Sequence, residues 1–249
     1  MGYAIRSREW FYIGATKSTA VGLNVEFLQP PAMAAQQYTQ WDTGKDMPDS
    51  SADNYFENIQ YTISARVLRN PSGFASTDIY ALFANAKTLT LSCCPEYYYK
   101  IRRVVSILPS ANQRYKGNEI NYEITLELAP FKYHLSNSPE EITQGTITNP
   151  GTRYSRPMYV ISGLTSGTTA VTLTVNGQQF KLTGLTTSDG IITIDAEKLL
   201  CFWKANAAST STVNLMPKSE GQIPFLNTGI NTAYVSDGTL TITGNWRSY

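Results

Sequence analysis

The chain has 249 residues, enough for one large or two modest domains at the usual ~100–150 residues each. Hydrophobic residues make up 42%, aromatic residues 12% and charged residues 16%, which supplies material for packed cores and is too little charge for a disordered chain. Twenty basic against 19 acidic residues leave a formal net charge of +1, without the basic excess that a dedicated nucleic-acid binder gathers on one face.

Residues 1–14, MGYAIRSREWFYIG, contain no apolar stretch leading to a small-residue cleavage site. No apolar run anywhere approaches the ~18 residues of a membrane helix. The expectation is a chain made in the cytoplasm with neither signal peptide nor membrane span. Pro30–Ser51 is rich in Gln, Pro, Asp and Ser and predicts a long excursion or loop. Asn58–Leu68 alternates Ile59, Tyr61, Ile63, Ala65 and Val67 with Gln60, Thr62, Ser64 and Arg66, the period of a half-buried strand. Ser76–Ala86 carries the one strong helical period: Ser76 suits the cap, Asp78 suits the positive end, and Ile79, Leu82, Phe83 and Ala86 form an apolar stripe. Tyr97–Leu108 predicts a third long strand, joined through the turn region Pro109–Gly117 to Asn118–Leu128. In the latter, Ile120, Tyr122, Ile124, Leu126 and Leu128 alternate with Glu119, Asn121, Glu123, Thr125 and Glu127.

Composition shifts after Pro130. Ser136–Pro157, with Gly145, Asn149-Pro150-Gly151 and Pro157, predicts a linker and loop. Beyond it Thr and Gly become frequent and strands shorten: Met158–Ile161, Ala170–Val175, Gln179–Thr183, Gly190–Asp195, Lys198–Trp203, a central irregular stretch, then Thr239–Thr243. Asn176-Gly177 is the strongest local signal, because this pair readily takes the positive φ values of a two-residue type I′ hairpin turn. Short strands with turn signals imply a β-sandwich of ~110 residues. The chain therefore divides into residues 1–136 and 137–249, both mainly β.

Residues for chemistry are scarce, and no catalytic, cofactor-binding or metal-binding residue is assigned. His134 is the one histidine, and no serine or cysteine has a nucleophile-elbow context. Cys93, Cys94 and Cys201 are odd in number and lack CxxC spacing, so they make neither a disulfide framework nor a zinc site. Neighbours on a strand point to opposite faces, so Cys93 and Cys94 cannot both point inward. Glu119, Glu123 and Glu127 recur every four residues, ~13 Å apart on a strand, which is too far for either glycosidase geometry. They form a solvated sheet face or, in the sharper reading, an acidic wall of a channel that keeps passing DNA from sticking. No phosphate loop is present, since Gly163–Gly167 lacks the lysine and the helix. The run from Tyr97 to Arg103 mixes rings and cations, and strand geometry divides it between two faces as core and interface. Sixteen tyrosines suit subunit interfaces.

Several stretches resemble one family in order. Trp41–Asp46 is similar to a Pro-Gly-Arg-Asp-Gly stretch, with Lys45 in place of Arg. Leu89-Thr90-Leu91 and Pro95–Tyr99 follow the helix, and Leu126–Tyr133 closes the first domain with a Pro-aromatic-x-Tyr ending. Asn149-Pro150-Gly151, the Asn176-Gly177 hairpin, Ile192–Asp195, Gly221–Asn231 and Trp246-Arg247 continue the series. This order resembles the distal tail proteins of long-tailed phages, chiefly those infecting Gram-positive bacteria. The resemblance implies an N-terminal ring-forming β-barrel or sandwich domain with one α-helix, followed by a galectin-like β-sandwich. It implies a non-enzymatic virion protein of a phage or prophage: a hexameric hub at the distal end of the tail, with rings able to stack. Its implied partners are further copies of itself, the tail tube protein, the tail-tip protein and receptor-binding or baseplate components, with no specific nucleic acid, membrane or cofactor. Two other readings compete. A carbohydrate-binding module for host cell-wall recognition would use an exposed aromatic platform, for which Trp203 and Trp246 are the candidates. A tail-tube subunit would share the first domain's fold but not the appended sandwich.

Overall fold

The computed structural model describes residues 9–35, 56–68, 76–111, 119–136, 139–142, 145–185 and 190–249. Its chain packs as two compact units, one running to Leu135 and including Tyr249, the other Ser136–Ser248. Both are mainly antiparallel β, with one α-helix among the described residues.

The first unit is built on three long strands. β3 (Ile59–Leu68) pairs along its whole length with β6 (Glu119–His134), from Ile59 opposite Leu128 to Leu68 opposite Glu119. On the other side of β6 lies β5 (Tyr97–Ala111). The sheet continues through β4 (Thr88–Leu91) to the short strands β1 (Phe11–Ile13) and β2 (Thr16–Lys17). Period-two alternation does what the sequence predicts: Ile63, Ile124, Leu126 and Leu128 are fully buried, while Gln60, Thr62, Ser64 and Glu123 are exposed. Helix α1 (Ser76–Ala84) closes the core with Ile79 and Phe83, and Leu82 and Ala86 pack against it half-buried. The helix ends two residues before the predicted Ala86, and the cap side chains Ser76 and Asp78 lie outside the described set.

β6 runs six residues beyond the predicted end at Leu128, straight through Pro130. Pro130 is tolerated because the β5–β6 register slips between Tyr99 opposite Lys132 and Ile101 opposite Leu128, so the proline sits in an irregularity where a missing N–H costs no ladder bond.

The second unit is a two-sheet sandwich. Its five-stranded sheet has the order β15 (Ser219–Glu220), β11 (Gln178–Thr183), β10 (Ala170–Val175), β16 (Gly229–Val235), β8 (Gly145–Asn149). Its six-stranded sheet runs β14 (Val213–Asn214), β13 (Leu200–Lys204), β12 (Ile191–Asp195), β9 (Met158–Ser162), β17 (Thr239–Thr243), β7 (Glu140–Ile142). Tyr159, Ile161, Phe180, Ile192, Leu226 and Leu240 fill the space between them. The hairpin between β10 and β11 turns on Asn176 (φ 50°) and Gly177 (φ 81°), the left-handed pair that a type I′ turn requires.

Two expectations are corrected. The predicted linker Ser136–Pro157 contains β7 and β8, edge strands that the alternation test passes over because β8 buries only Ile147 and Asn149. The predicted irregular stretch before Thr239 contains β16, which sits between β10 and β8. β16 inverts the usual polarity, with Asn231 buried and Ile230 and Tyr234 facing outward. Asn231 is stable inside because its amide is fully used. Its Nδ2 donates to the carbonyls of Asn227 and Gly229, both at 2.9 Å, and its Oδ1 accepts from Asn227 N and Asn176 Nδ2, both at 2.7 Å.

Candidate assembly surface

The exposed face of the three long strands is a continuous polar ladder. Lateral rows run Gln60–Glu127–Arg103, Thr62–Thr125–Ser106 and Ser64–Glu123–Leu108. The Thr62 and Thr125 hydroxyls meet at 3.1 Å. Glu127 accepts from Asn58 Nδ2 at 2.6 Å and from Arg103 Nε at 2.5 Å, and these bonds hold its carboxyl below the usual carboxylate range. The sequence foresees a row of glutamates here. Among the described side chains the structure adds Arg103, paired with Glu127, and Arg66, paired with Glu26, so the glutamate row is interrupted by cations. The Glu119 side chain lies outside the described residues.

The outer edge of β3 is the second feature. Arg66 exchanges both backbone bonds with Asn24, N to O and O to N, each 2.8 Å. Arg66 therefore turns its peptide groups away from β6, and by strand alternation so do Ser64, Thr62 and Gln60. Past Asn24 the chain runs on beside β3, held by Tyr61 Oη donating to the Gln29 carbonyl at 2.7 Å and by Glu57 N donating to the Ala35 carbonyl at 3.0 Å. Two open depressions remain beside β3. One, of about 410 Å³, is lined by Phe27, Pro30, Pro31, Tyr61 and Thr62. The other, of about 570 Å³, is lined by Glu26, Phe27, Arg66, Asn121 and Glu123, with Arg66 Nη2 bonded to Glu26 at 2.5 Å. Phe27 is 68% exposed and Met33 69%. Neither was singled out from sequence; the cue available was Gln29-Pro30-Pro31, which stops a strand from pairing just after an apolar residue.

The residues considered for chemistry are occupied structurally. His134 packs edge-on against Tyr97 with centroids 4.7 Å apart, and burial followed by the Lys132 charge lowers its pKa. Tyr98 stacks on Tyr133, Lys100 lies 4.1 Å from the Tyr133 ring centre, and Lys132 lies 4.7 Å from that of Tyr97. The aromatic–basic run is thus spent on its own strand pair. Cys93 is exposed and Cys94 buried; both occupy the turn after β4 and not a strand, so the opposite-face argument does not apply to them. Burial pushes the thiol of Cys201 up to about 12, so it stays protonated at neutral pH. Trp246 is buried in the sandwich core and Trp203 packs half-buried against it. Each ring lies on a glycine: a Cβ on Gly190 would come within 2.2 Å of Trp203 Nε1, and one on Gly244 within 2.1 Å of the Trp246 ring. Neither indole is a free platform for a sugar. The Trp41–Asp46 stretch lies outside the described residues.

No family model matches the sequence, and no curated protein matches it. A solved structure does. The crystal structure of SPP1 Dit (gp 19.1), described as a paradigm of the hub adsorption apparatus in phages infecting Gram-positive bacteria, is similar with a TM-score of 0.67. The likeness covers 94% of this chain and 97% of that one at 12% sequence identity. The chain has the Dit fold. With so low an identity, the shared feature is the arrangement of strands and not side-chain chemistry.

Proposed function

We propose that this chain is a phage distal tail hub: a non-enzymatic virion protein whose first unit closes into a six-fold ring. The ring would stack on the tail tube and carry the tail-tip protein, while the sandwich offers a surface to receptor-binding or baseplate components. The observation that carries this reading is a fold likeness to an adsorption-apparatus hub protein that runs nearly end to end through both chains. The site chemistry agrees with it. The buried Cys201 thiol is held protonated, and the one histidine is packed against tyrosine. What the first unit offers is a polar sheet face and exposed apolar side chains, Phe27 and Met33 among them. A location at the distal end of the tail follows from the same reading.

A carbohydrate-binding role is not favoured, because both candidate tryptophans are packed against glycine. Native mass spectrometry of the purified chain across a concentration series, with negative-stain images, tests the proposal. Six-fold rings with a central hole are the expected result. A chain that binds a host wall polysaccharide while remaining monomeric would overturn it.

A further inference from the structure

The five-stranded sheet of the sandwich ends in a bare strand edge, beside two apolar side chains that face outward. From this we infer that β8 takes an extended segment of another protein as a sixth strand of that sheet, a long apolar or aromatic side chain of the segment lying over Thr148 against Ile230. The inference deepens the hub reading, on which it rests for the existence of a partner, by naming the surface of the sandwich that holds one.

The direction of the free peptide groups follows from the ladder on the other side. Asn176 N donates to Thr232 O and Ser236 N to Thr172 O, each at 2.9 Å, so the even-numbered residues of β16 turn their peptides toward β10. Gly229, Asn231 and Ala233 therefore turn theirs toward β8, where they meet Asn149, Ile147 and Gly145. Thr146 and Thr148 are left with N–H and C=O groups that point away from the sheet, and among the described residues no hydrogen bond reaches them. The other sheet ends of the sandwich are short or charged. β14 and β15 have two residues each, and β7, with three, carries Glu140 and Glu141. β8 has five residues and neither a charge nor a proline, the devices that keep natural edges from pairing.

Beside that edge, Ile230 stands opposite Thr148 and is 75% exposed, and Tyr234 stands opposite Thr174 and is 45% exposed. A one-residue slip of β16 would bury both and expose Asn231. The four bonds of the Asn231 amide fix the register that keeps them outside, so their exposure is built into the strand. Three observations decide what covers them. N–H and C=O groups that recur at every second residue are matched by another extended backbone, and not by a sugar or a lipid. A second copy of β8, pairing about a two-fold axis through Ile147, would set Thr146 opposite Thr148 and leave Ile230 uncovered in both copies. A foreign strand instead places a side chain next to Thr148, about 10 Å from Ile230 across two strand spacings. A long aliphatic or aromatic side chain closes that gap over the small threonine.

The test uses the full chain and a fluorescein-labelled peptide of alternating threonine and valine with one central phenylalanine, its affinity read by fluorescence anisotropy. Thr148→Pro removes one outward N–H and leaves the β16 ladder whole. It should keep the parent's melting temperature and bind the peptide at least about tenfold more weakly. Ile230→Ser should weaken binding about fivefold, and the same peptide N-methylated at every residue should not bind. Amide hydrogen exchange read by NMR gives the position: Thr146 and Thr148 should exchange fast in the free chain and become protected with the peptide, while Ile147 is protected throughout. A parent that does not bind the peptide, a Thr148→Pro variant that binds it like the parent, or Thr146 and Thr148 amides already protected in the free chain overturns the edge assignment. Thr146→Pro, at the neighbouring outward position, carries the same test should Thr148→Pro melt early. Native mass spectrometry separates this inference from the hub reading. Rings that form without binding the peptide sink the edge assignment alone, and peptide binding by a chain that forms no ring sinks the hub reading alone.

Discussion

Asn231 offers the sharpest measurement of what organises the sandwich. It is fully buried on β16, and its amide ties three segments together: the turn at Asn227–Gly229, the strand itself and the Asn176 hairpin. The hairpin answers in kind, since Asn176 Oδ1 accepts from Thr232 N at 2.9 Å. Asn231→Ala strands two donors and two acceptors. A buried polar group left unpaired costs about 1–3 kcal/mol, but the groups of Asn227 and Asn176 lie near the surface and regain water. The expected loss is therefore about 2–4 kcal/mol rather than the full sum. For a sandwich of this size that lowers its melting temperature by roughly 10 °C. Calorimetry of the full chain reads it as a shift of the sandwich's transition with the first unit's transition unmoved. Asn176→Ala and the double variant complete a cycle, in which coupling of at least about 0.5 kcal/mol marks a direct partnership. A loss below about 1 kcal/mol for Asn231→Ala would refute the argument that this buried amide holds the inverted strand in place.

Two further outcomes follow from the sandwich. Gly244→Ala should destabilise it by about 2 kcal/mol in urea unfolding, because the new methyl would overlap the Trp246 ring and force that core indole to move; an unchanged midpoint would show the ring free to shift. Asp195 carries the pH dependence. Burial works to raise its pKa, but hydrogen bonds from the Lys198 ammonium at 3.0 Å and from the Lys198 and Glu197 backbone N–H groups outweigh this and lower it. A carboxyl depressed in the folded state adds stability above its unfolded pKa and loses it as pH falls through the folded value. Asp195→Asn should thus be less stable than the parent at pH 7, with the gap closing as the pH drops through the acid range. A gap that persists undiminished at low pH would show that the ion pair is not its source.

How much was legible in the sequence varies with the local signal. The β3 and β6 alternations were clear because each strand buries one face only, so the period of two survives in the residue types. Asn176-Gly177 was legible because few pairs adopt two consecutive left-handed conformations. β1, β8 and β16 were missed for separate reasons. Phe11–Ile13 is too short to show a period, Gly145–Asn149 is an edge with little to bury, and β16 faces its asparagine inward. The glutamate row was visible, but its neutralisation was not, since Arg103 and Asn58 reach Glu127 from strands far away in sequence.

The amino-acid order by itself determined the strand-rich character, the single helix stripe, the hairpin turn and the poverty of catalytic groups, because each depends on residue types within a few positions of one another. The tertiary structure decided everything that depends on what lies across a ladder. It set that Pro130 falls where no ladder bond is lost, and that Phe27, Met33, Val105 and Leu108 stay exposed. An apolar side chain has the same letter whether it is buried or uncovered. Only the neighbours that the fold brings to it determine which.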